Sequence, residues 1–440
     1  QDDTGGDHSG DYGSRSVGII ASTHDDFYFG TYDDAGNMLT NPAAFMETDG
    51  AKKFLNFNED GFAGIAEGGK YYTRDFDGKT AYRVIYRPNM IHPLVAFSTT
   101  CVGYAVDFFD TTLGAPKPLP ASDQIWPIKA VFNSLGVIGL LIFMVSFTLV
   151  LLDTPVFSAL RSGEIVQPAP VQDNGAKAWY WVLLIIGAVF SGASFLFCMN
   201  TVYSKTTNFF VQTGPLTIGT WAALCGVFAI FCSAVFYGAY GKKHGWSARR
   251  AGLYLNLEQL WKTIALAVIV IVVSFGLVFA AHYFFQVDYR MYVVAFKTFG
   301  ADKVLIALRY LPFFLLFYVM NSISANCFNY NTIGGKNGNI LIFAFFNALG
   351  AIFVVASQYI YFYATGYQLY GLTEGQRIGP IWLFPCMVLL FVTPIMSRII
   401  YKRTRNPYIA GLINAMFIVM ISCSNTTTIL GGGELIATTF

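Results

Sequence analysis

The distribution of apolar positions divides the chain near residue 125. Beyond it, apolar runs of about 20 residues alternate with short polar segments. A bilayer core about 30 Å thick requires roughly 20 residues of helix, so these runs predict membrane-spanning helices. Eight runs qualify, at residues 128–152, 179–199, 218–240, 261–284, 304–324, 340–363, 381–400 and 407–423. Residues 289–299 are apolar but too few to span, and we expect them to lie in the membrane interface.

The polar region before residue 125 has the pattern of a mixed α/β segment. Residues 16–21 form a short apolar run that is typical of a buried strand. Residues 70–73 and 80–86 flank the turn signal Asp77-Gly78, and together they predict a β-hairpin. Residues 41–57 have weaker helical spacing. Apolar side chains at positions 97, 101, 104 and 108 form one stripe of an amphipathic helix, which the glycine and prolines of residues 114–120 would end.

Composition supports a membrane protein and separates the two regions by charge. The 440 residues are 55% hydrophobic and 12% charged, whereas soluble domains are nearer a quarter charged. Residues 1–124 carry 18 acidic and 9 basic side chains, while residues 125–440 carry 8 acidic and 19 basic side chains. This opposite balance indicates two different environments.

The basic residues of the short loops predict an orientation, because cytoplasmic loops are enriched in Lys and Arg. One set of loops carries eleven, namely Arg161, Lys177, Lys242, Lys243, Arg249, Arg250, Lys336, Arg398, Lys402, Arg403 and Arg405. The opposite set carries six, namely Lys117, Lys205, Arg290, Lys297, Lys303 and Arg377. We therefore expect the polar N-terminal region and the C-terminus to lie outside the cytoplasm.

Candidate chemistry in the polar region follows the order strand, acid, strand, histidine, helix. The strand at residues 16–21 leads to Asp25 and Asp26, and the strand at residues 83–86 leads to His92. A carboxylate can orient an imidazole and stabilise its charged form. The imidazole can in turn take a proton from a serine at neutral pH.

These segments resemble the C-terminal part of an α/β-hydrolase of the kind that Firmicutes fuse to a multi-helix membrane domain. Residues 17–29 (VGIIASTHDDFYF) and 82–109 (YRVIYRPNMIHPLVAFSTTCVGYAVDFF) carry the resemblance, with the junction at residues 123–139 (DQIWPIKAVFNSLGVIG). It implies that Asp25 is the catalytic acid, with Asp26 as the runner-up, and that His92 is the base. Esters or related acyl compounds are then the expected substrates.

The chain also departs from that family's pattern. No G-x-S-x-G nucleophile elbow occurs in residues 1–440, and the interval from Asp25 to His92 is longer than usual for the fold. An insertion holding the hairpin would explain the interval. We expect the chain to be a fragment that lacks its nucleophile region, which would lie upstream of Gln1. No signal peptide is visible.

The expected architecture is mainly α, a polytopic bundle of about eight helices preceded by a partial α/β-hydrolase-like domain. Residues 1–15 would be a loop or ragged end, residues 16–122 the hydrolase-like part, and residues 123–440 the transmembrane domain. The expected partners are the lipid bilayer and a small-molecule or acyl substrate, with no nucleic acid. No cofactor and no metal site is predicted, and the oligomeric state stays open.

Other interpretations remain open at this point. His92 could simply cap a helix, and Asp25-Asp26 could form a solvated turn. The chain could instead be a transporter or permease with an accessory polar domain, or a non-enzymatic membrane anchoring module. Ionisable residues in or beside the spans draw attention to transport, and they are Glu258, Lys262, His282 and Arg309. Glu258 and Lys262 are four residues apart, which favours a local ion pair. Amide side chains at residues 321–331 favour interhelical hydrogen bonds or a polar cavity.

Overall fold

The computed structural model describes residues 12–33, 38–117, 119–171, 173–429 and 435–436. The chain forms two compact units. One comprises Gln1–Lys129 together with Val355–Ile381, and the other comprises Ala130–Val354 together with Trp382–Phe440. Of the loop predicted at residues 1–15, residues 1–11 lie outside the described residues.

The first unit contains a three-stranded sheet and a separate two-stranded pair. Its strands are β1 (Val17–Ile20), β2 (Thr31–Tyr32), β3 (Met38–Thr40), β4 (Tyr72–Phe76) and β5 (Lys79–Tyr86). The sheet has the order β1-β5-β4, in which β1 runs parallel to β5 and β4 runs antiparallel to it. The strand predicted at residues 16–21 is therefore confirmed. The β2–β3 pair is not apparent in the sequence pattern.

The hairpin between β4 and β5 is also confirmed. Asp77 and Gly78 form its two-residue turn with φ of +49° and +80°. Positive φ at both central residues is the geometry that matches the right-handed twist of the strands, and Asp-Gly adopts it at low cost.

Three helices complete the N-terminal part of the first unit. They are α1 (Asp49–Leu55), α2 (His92–Val95) and α3 (Thr99–Leu113), and a 3₁₀ turn at Pro42–Glu47 precedes α1. The Ser98 hydroxyl caps α3 by accepting a hydrogen bond from the Cys101 amide at 3.3 Å. The predicted stripe of α3 packs on the sheet, where Tyr104 stacks on Tyr86 with 4.5 Å between ring centroids.

Eight long helices follow in the described part of the chain. They are α4 (Trp126–Leu152), α5 (Asn174–Thr201), α6 (Thr213–Phe236), α7 (Leu257–Phe285), α8 (Asp302–Ile323), α9 (Gly335–Thr365), α10 (Glu374–Thr404) and α11 (Pro407–Ser424). Each is long and apolar enough to cross a membrane, which confirms the eight predicted spans and a mainly α, multi-pass architecture. Most extend several residues beyond the predicted limits, because polar turns outside the apolar runs are helical as well.

The core of the second unit is built around α8 and α11. The helix α8 packs against α6 and α11, α5 packs on α6, and α7 packs on α11. Small residues allow close approach: a side chain at Gly226 would lie 2.7 Å from the Leu316 carbonyl oxygen, and one at Gly411 would lie 2.8 Å from the Val319 Cα.

The segment predicted to be too short to span forms a hairpin. Its strands are β6 (Tyr289–Met291) and β7 (Val294–Phe296), and β7 is buried in the second unit. The Asn425 side chain donates a hydrogen bond to the Ala295 carbonyl at 2.8 Å and ties this hairpin to the residues after α11. The remaining strands, β8 (Thr428–Ile429) and β9 (Leu435–Ile436), also form an antiparallel pair.

The segment Val355–Ile381 belongs to the first unit, and it contains the end of α9, a loop and the start of α10. Gly366 follows α9 with φ of +76°, a conformation that glycine adopts readily. The loop folds back on the helix, because the Tyr370 amide donates to the Gln358 side-chain oxygen at 2.8 Å. The Arg377 guanidinium lies over the Tyr32 ring at 4.1 Å and joins the start of α10 to β2.

Candidate functional site

The parallel pairing of β1 and β5 brings two loops together at one edge of the sheet. The backbone hydrogen bonds continue beyond the strands, from the Ala21 amide to the Tyr86 carbonyl and from the Thr23 amide to the Pro88 carbonyl, both at 2.9 Å. A further isolated bridge pairs His24 with Ile91. The loops that carry Asp25 and His92 therefore leave the sheet side by side, as the carboxyl ends of neighbouring parallel strands must.

Asp25 is in direct contact with the imidazole of His92. Its Oδ2 lies 3.0 Å from His92 Nδ1. Its Oδ1 accepts hydrogen bonds from the amides of Phe27 and Tyr28 at 3.0 and 2.7 Å, so the carboxylate is fixed by its own turn. The side chain is 2% exposed, and the Ser22 hydroxyl donates to it at 3.4 Å. A carboxylate at Nδ1 accepts a hydrogen bond from the Nδ1–H group and leaves Nε2 as the basic atom of the neutral ring.

His92 is the first residue of α2, and its ring is 38% exposed. The hydrogen bond that His92 donates to Asp25 raises the pKa of His92, and partial burial opposes that rise. The aromatic rings of Tyr28 and Phe27 lie beside the imidazole, with centroid distances of 5.2 and 6.3 Å. Within the residues that the structure describes, no Ser, Thr or Cys is hydrogen-bonded to His92. The site thus contains an ordered acid and base but no nucleophile among those residues.

Asp26 has a different position from Asp25, although the two are neighbours. Its Oδ1 accepts from the backbone amide of His92 at 3.1 Å, and its Oδ2 accepts from the Tyr359 hydroxyl at 2.6 Å. The Gln368 side chain donates to its carbonyl oxygen. Burial raises the pKa of Asp26 from an ordinary value of 3.8 to about 6, while the Tyr359 bond opposes the rise. Asp26 therefore holds the backbone of His92, and Asp25 contacts its imidazole.

Nothing in the sequence pattern points to Tyr359 or Gln368. They lie 333 and 342 residues from Asp26 along the chain, and hydrophobic periodicity shows only that Tyr359 is near the end of an apolar run. His24 joins the same surroundings, with its ring 4.4 Å from that of Tyr363 and 5.5 Å from that of Phe362.

The ionisable residues singled out in the membrane region are satisfied locally. Lys262 donates to Glu258 at 2.6 Å, which confirms the predicted ion pair. Arg309 donates to the Phe209 carbonyl at 3.0 Å, and His282 lies 3.8 Å from Asp288.

The amide side chains of the second unit form hydrogen bonds between helices. Asn321 on α8 donates to Asn347 on α9 at 2.6 Å, and Asn347 donates to the Leu390 carbonyl on α10 at 2.7 Å. Such bonds are the expected role of polar side chains inside a bundle. Asn321, Asn329 and Asn347 also line a cavity of about 120 Å³, so the two interpretations of these amides are both compatible with the structure.

The sequence places Arg398 among the loop cations, and this prediction is wrong. Arg398 lies within α10 and is 2% exposed. It donates to the side-chain oxygens of Asn326 and Asn339 at 2.8 and 3.0 Å and to the Ala325 carbonyl, and it lies 3.9 Å from the centre of the Tyr330 ring. Carbonyl dipoles and an aromatic face therefore surround this buried charge. Without Arg398, the first set of loops still carries more basic residues than the opposite set.

Groups of three or more His, Cys, Asp or Glu side chains that could bind a metal do not occur among the described residues. The Asp25–His92 pair is the arrangement with the clearest chemical capability, since it can accept and return one proton. Comparison of the chain with family profiles, with curated proteins and with solved structures found no match.

Proposed function

We propose that this chain supplies the acid and base of a membrane-anchored serine hydrolase of the α/β-hydrolase type, acting on esters or related acyl substrates outside the cytoplasm. The observation that carries the proposal is the 3.0 Å contact between Asp25 Oδ2 and His92 Nδ1 on loops that follow two neighbouring parallel strands. The resemblance of residues 17–29 and 82–109 to the bacterial membrane-fused hydrolases supports it. Residues 1–440 contain no G-x-S-x-G, so the proposal requires a nucleophilic serine that is supplied from outside these residues.

In the proposed reaction, Nε2 of His92 takes the proton of the serine hydroxyl as its oxygen attacks the ester carbonyl. Asp25 stabilises the imidazolium that forms, and its bonds to two backbone amides keep the carboxylate in place. The imidazolium then returns the proton to the leaving alkoxide as the acyl-enzyme forms. Water, deprotonated by the same imidazole, hydrolyses the acyl-enzyme to the free acid. Asp26 positions His92 through its backbone amide.

The proposal is tested by replacing His92 in the full-length protein. His92→Ala should abolish both ester turnover and labelling of the serine by a fluorophosphonate, because the serine is no longer deprotonated. His282→Ala, which changes a histidine near the end of α7, is the matched control and should leave both unchanged. Undiminished turnover in His92→Ala would contradict the proposal.

A transporter is the second candidate, and it is favoured by the cavity of the second unit, which Asn321, Asn329 and Asn347 line together with mostly apolar residues. Under this proposal, Asn321→Leu should impair substrate flux in vesicles, whereas His92→Ala should leave flux unchanged. An anchoring module without enzymatic activity is the remaining alternative. It is favoured if fluorophosphonate labels no serine of the full-length protein.

A further inference from the structure

The end of α9 has the features of a membrane boundary. Counted from Ile340, roughly 20 residues of helix reach Tyr359, and that length crosses a hydrocarbon core about 30 Å thick. No charged residue occurs between Ile340 and Thr365. Aromatic residues concentrate just beyond, at Tyr359, Tyr361, Phe362, Tyr363, Tyr367 and Tyr370. Tyrosines in this density are typical of the interface between lipid and water.

The acid and base are attached to this boundary by side-chain contacts. Tyr359 donates to Asp26 at 2.6 Å, and Asp26 in turn accepts from the amide of His92 at 3.1 Å. Only two hydrogen bonds therefore separate the residue at the hydrocarbon boundary from the backbone of the catalytic histidine. The ring of His24, which precedes the two aspartates, lies against Tyr363 of the same helix end.

The surface around His92 is apolar and uncovered. Tyr28, whose ring is 5.2 Å from the imidazole, is 39% exposed, and Leu94, two residues after His92, is 41% exposed. Tyr363, whose ring lies 4.4 Å from that of His24, is exposed as well. Apolar groups clustered at a membrane boundary can bury their surface against acyl chains.

We infer that the substrate is an amphiphilic, long-chain acyl ester that meets His92 at the membrane surface. This inference rests on the proposed function. The ester group of such a molecule lies at the boundary between its polar head and its acyl chain, which is the depth assigned to Tyr359. The carbonyl can then reach the imidazole while the chain remains in the hydrocarbon. Hydrolysis adds one water across the ester bond and releases a fatty acid and an alcohol.

The experiment compares two esters of the same alcohol, p-nitrophenyl butyrate and p-nitrophenyl laurate, with the full-length protein in phosphatidylcholine nanodiscs. We expect kcat/KM to be at least about tenfold higher for laurate, the effect of burying roughly two additional methylene groups. Leu94→Asn and Tyr363→Ser should each lower the ratio of laurate to butyrate turnover. Ile65→Asn, a change at an apolar side chain that is 85% exposed elsewhere in the first unit, is the control and should leave the ratio unchanged.

The outcomes separate this inference from the proposed function. A His92-dependent butyrate turnover with no preference for laurate would overturn the inference and leave the hydrolase proposal standing. A laurate preference that Leu94→Asn and Tyr363→Ser do not reduce would also overturn it, because the preference would not come from this surface. Failure to hydrolyse either ester would reject the proposed function, and the substrate inference with it.

Discussion

Replacing each of the two adjacent aspartates by asparagine distinguishes the group that acts on the imidazole from the group that holds the backbone. Asp25→Asn keeps the size of the side chain and its acceptor for the turn amides, but it removes the charge 3.0 Å from His92 Nδ1. We expect kcat for ester hydrolysis to fall on the order of 10⁴-fold, as it does when the aspartate of a serine-protease triad becomes asparagine. Asp26→Asn should reduce kcat by less than about tenfold, because its neutral amide can still accept from the His92 amide.

The two variants should also differ in the pH dependence of activity. The imidazole must be neutral to act as a base, so activity falls as the pH drops below the pKa of His92. The hydrogen bond that the imidazole donates to Asp25 is the main cause that raises this pKa. Its loss in Asp25→Asn should lower the pKa of His92 and move the acidic limb of the residual activity to lower pH. Asp26→Asn should move that limb only slightly.

Asp26→Asn should also change the stability of the folded protein. The pKa of Asp26 is 3.8 ordinarily and about 6 in the folded protein, so its protonated form favours folding. That contribution is fully present below pH 3.8 and is lost as the pH rises through 6, a difference of about 3 kcal/mol at pH 8. Asp26→Asn avoids this loss but weakens two charge-assisted hydrogen bonds. We therefore expect a net gain of about 1–2 kcal/mol at pH 8 and no gain at pH 4.

The assay is ester turnover and thermal unfolding of full-length protein in nanodiscs between pH 4 and pH 8. Both variants are compared with the unmodified protein from the same preparation. The reasoning is refuted if Asp26→Asn loses activity as strongly as Asp25→Asn, or if Asp26→Asn is no more stable than the unmodified protein at pH 8.

Three further predictions concern packing. Tyr359→Phe removes a 2.6 Å hydrogen bond to a buried carboxylate and should lower the free energy of unfolding by about 1.5–3 kcal/mol. An unchanged free energy of unfolding would contradict this prediction. Arg398→Met removes the donor to three buried acceptors and should lower the free energy of unfolding by roughly 3 kcal/mol. Arg403→Met, at an exposed position on the same helix, should change it by no more than about 0.5 kcal/mol. Gly252→Ala places a Cβ against the Arg405 carbonyl oxygen and should prevent accumulation of folded protein. Gly245→Ala, where φ is a similar +71° but the space is open, should lower the free energy of unfolding by only about 1–2 kcal/mol. Equal losses for the two glycine variants would contradict the last prediction.

The membrane helices and the Asp25–His92 order are accessible from sequence because both depend on local pattern. Apolar length alone predicts a span, so all eight helices are found and only their polar ends are missed. The two site residues follow short apolar strands, and parallel pairing of those strands brings the following loops together. The choice between Asp25 and Asp26 requires the structure. The two carboxylates are adjacent in the chain but bind different partners, because the turn that holds them sets their directions and sequence periodicity does not predict that turn.

The contributions of Tyr359, Gln368 and Arg398 could not be predicted for a related reason. Tyr359 and Gln368 reach Asp26 only through tertiary packing across more than 300 residues. In the sequence, Arg398 lies four residues before Lys402 and close to other basic residues. That grouping is typical of a helix end that faces water. Its burial depends on carbonyl oxygens that other helices provide.

The bond between Asp26 and Tyr359 has a consequence for biosynthesis. The two residues are 333 positions apart, so at roughly 5–20 residues per second a ribosome needs about 20–70 s to make the second after the first. Until α9 emerges and inserts, Asp26 lacks the hydroxyl that satisfies it, and the loop that holds His92 lacks its anchor. The anchor of the His92 backbone would therefore be complete only after α4 to α8 have been translated. A protein truncated after α3 would lose this anchor altogether.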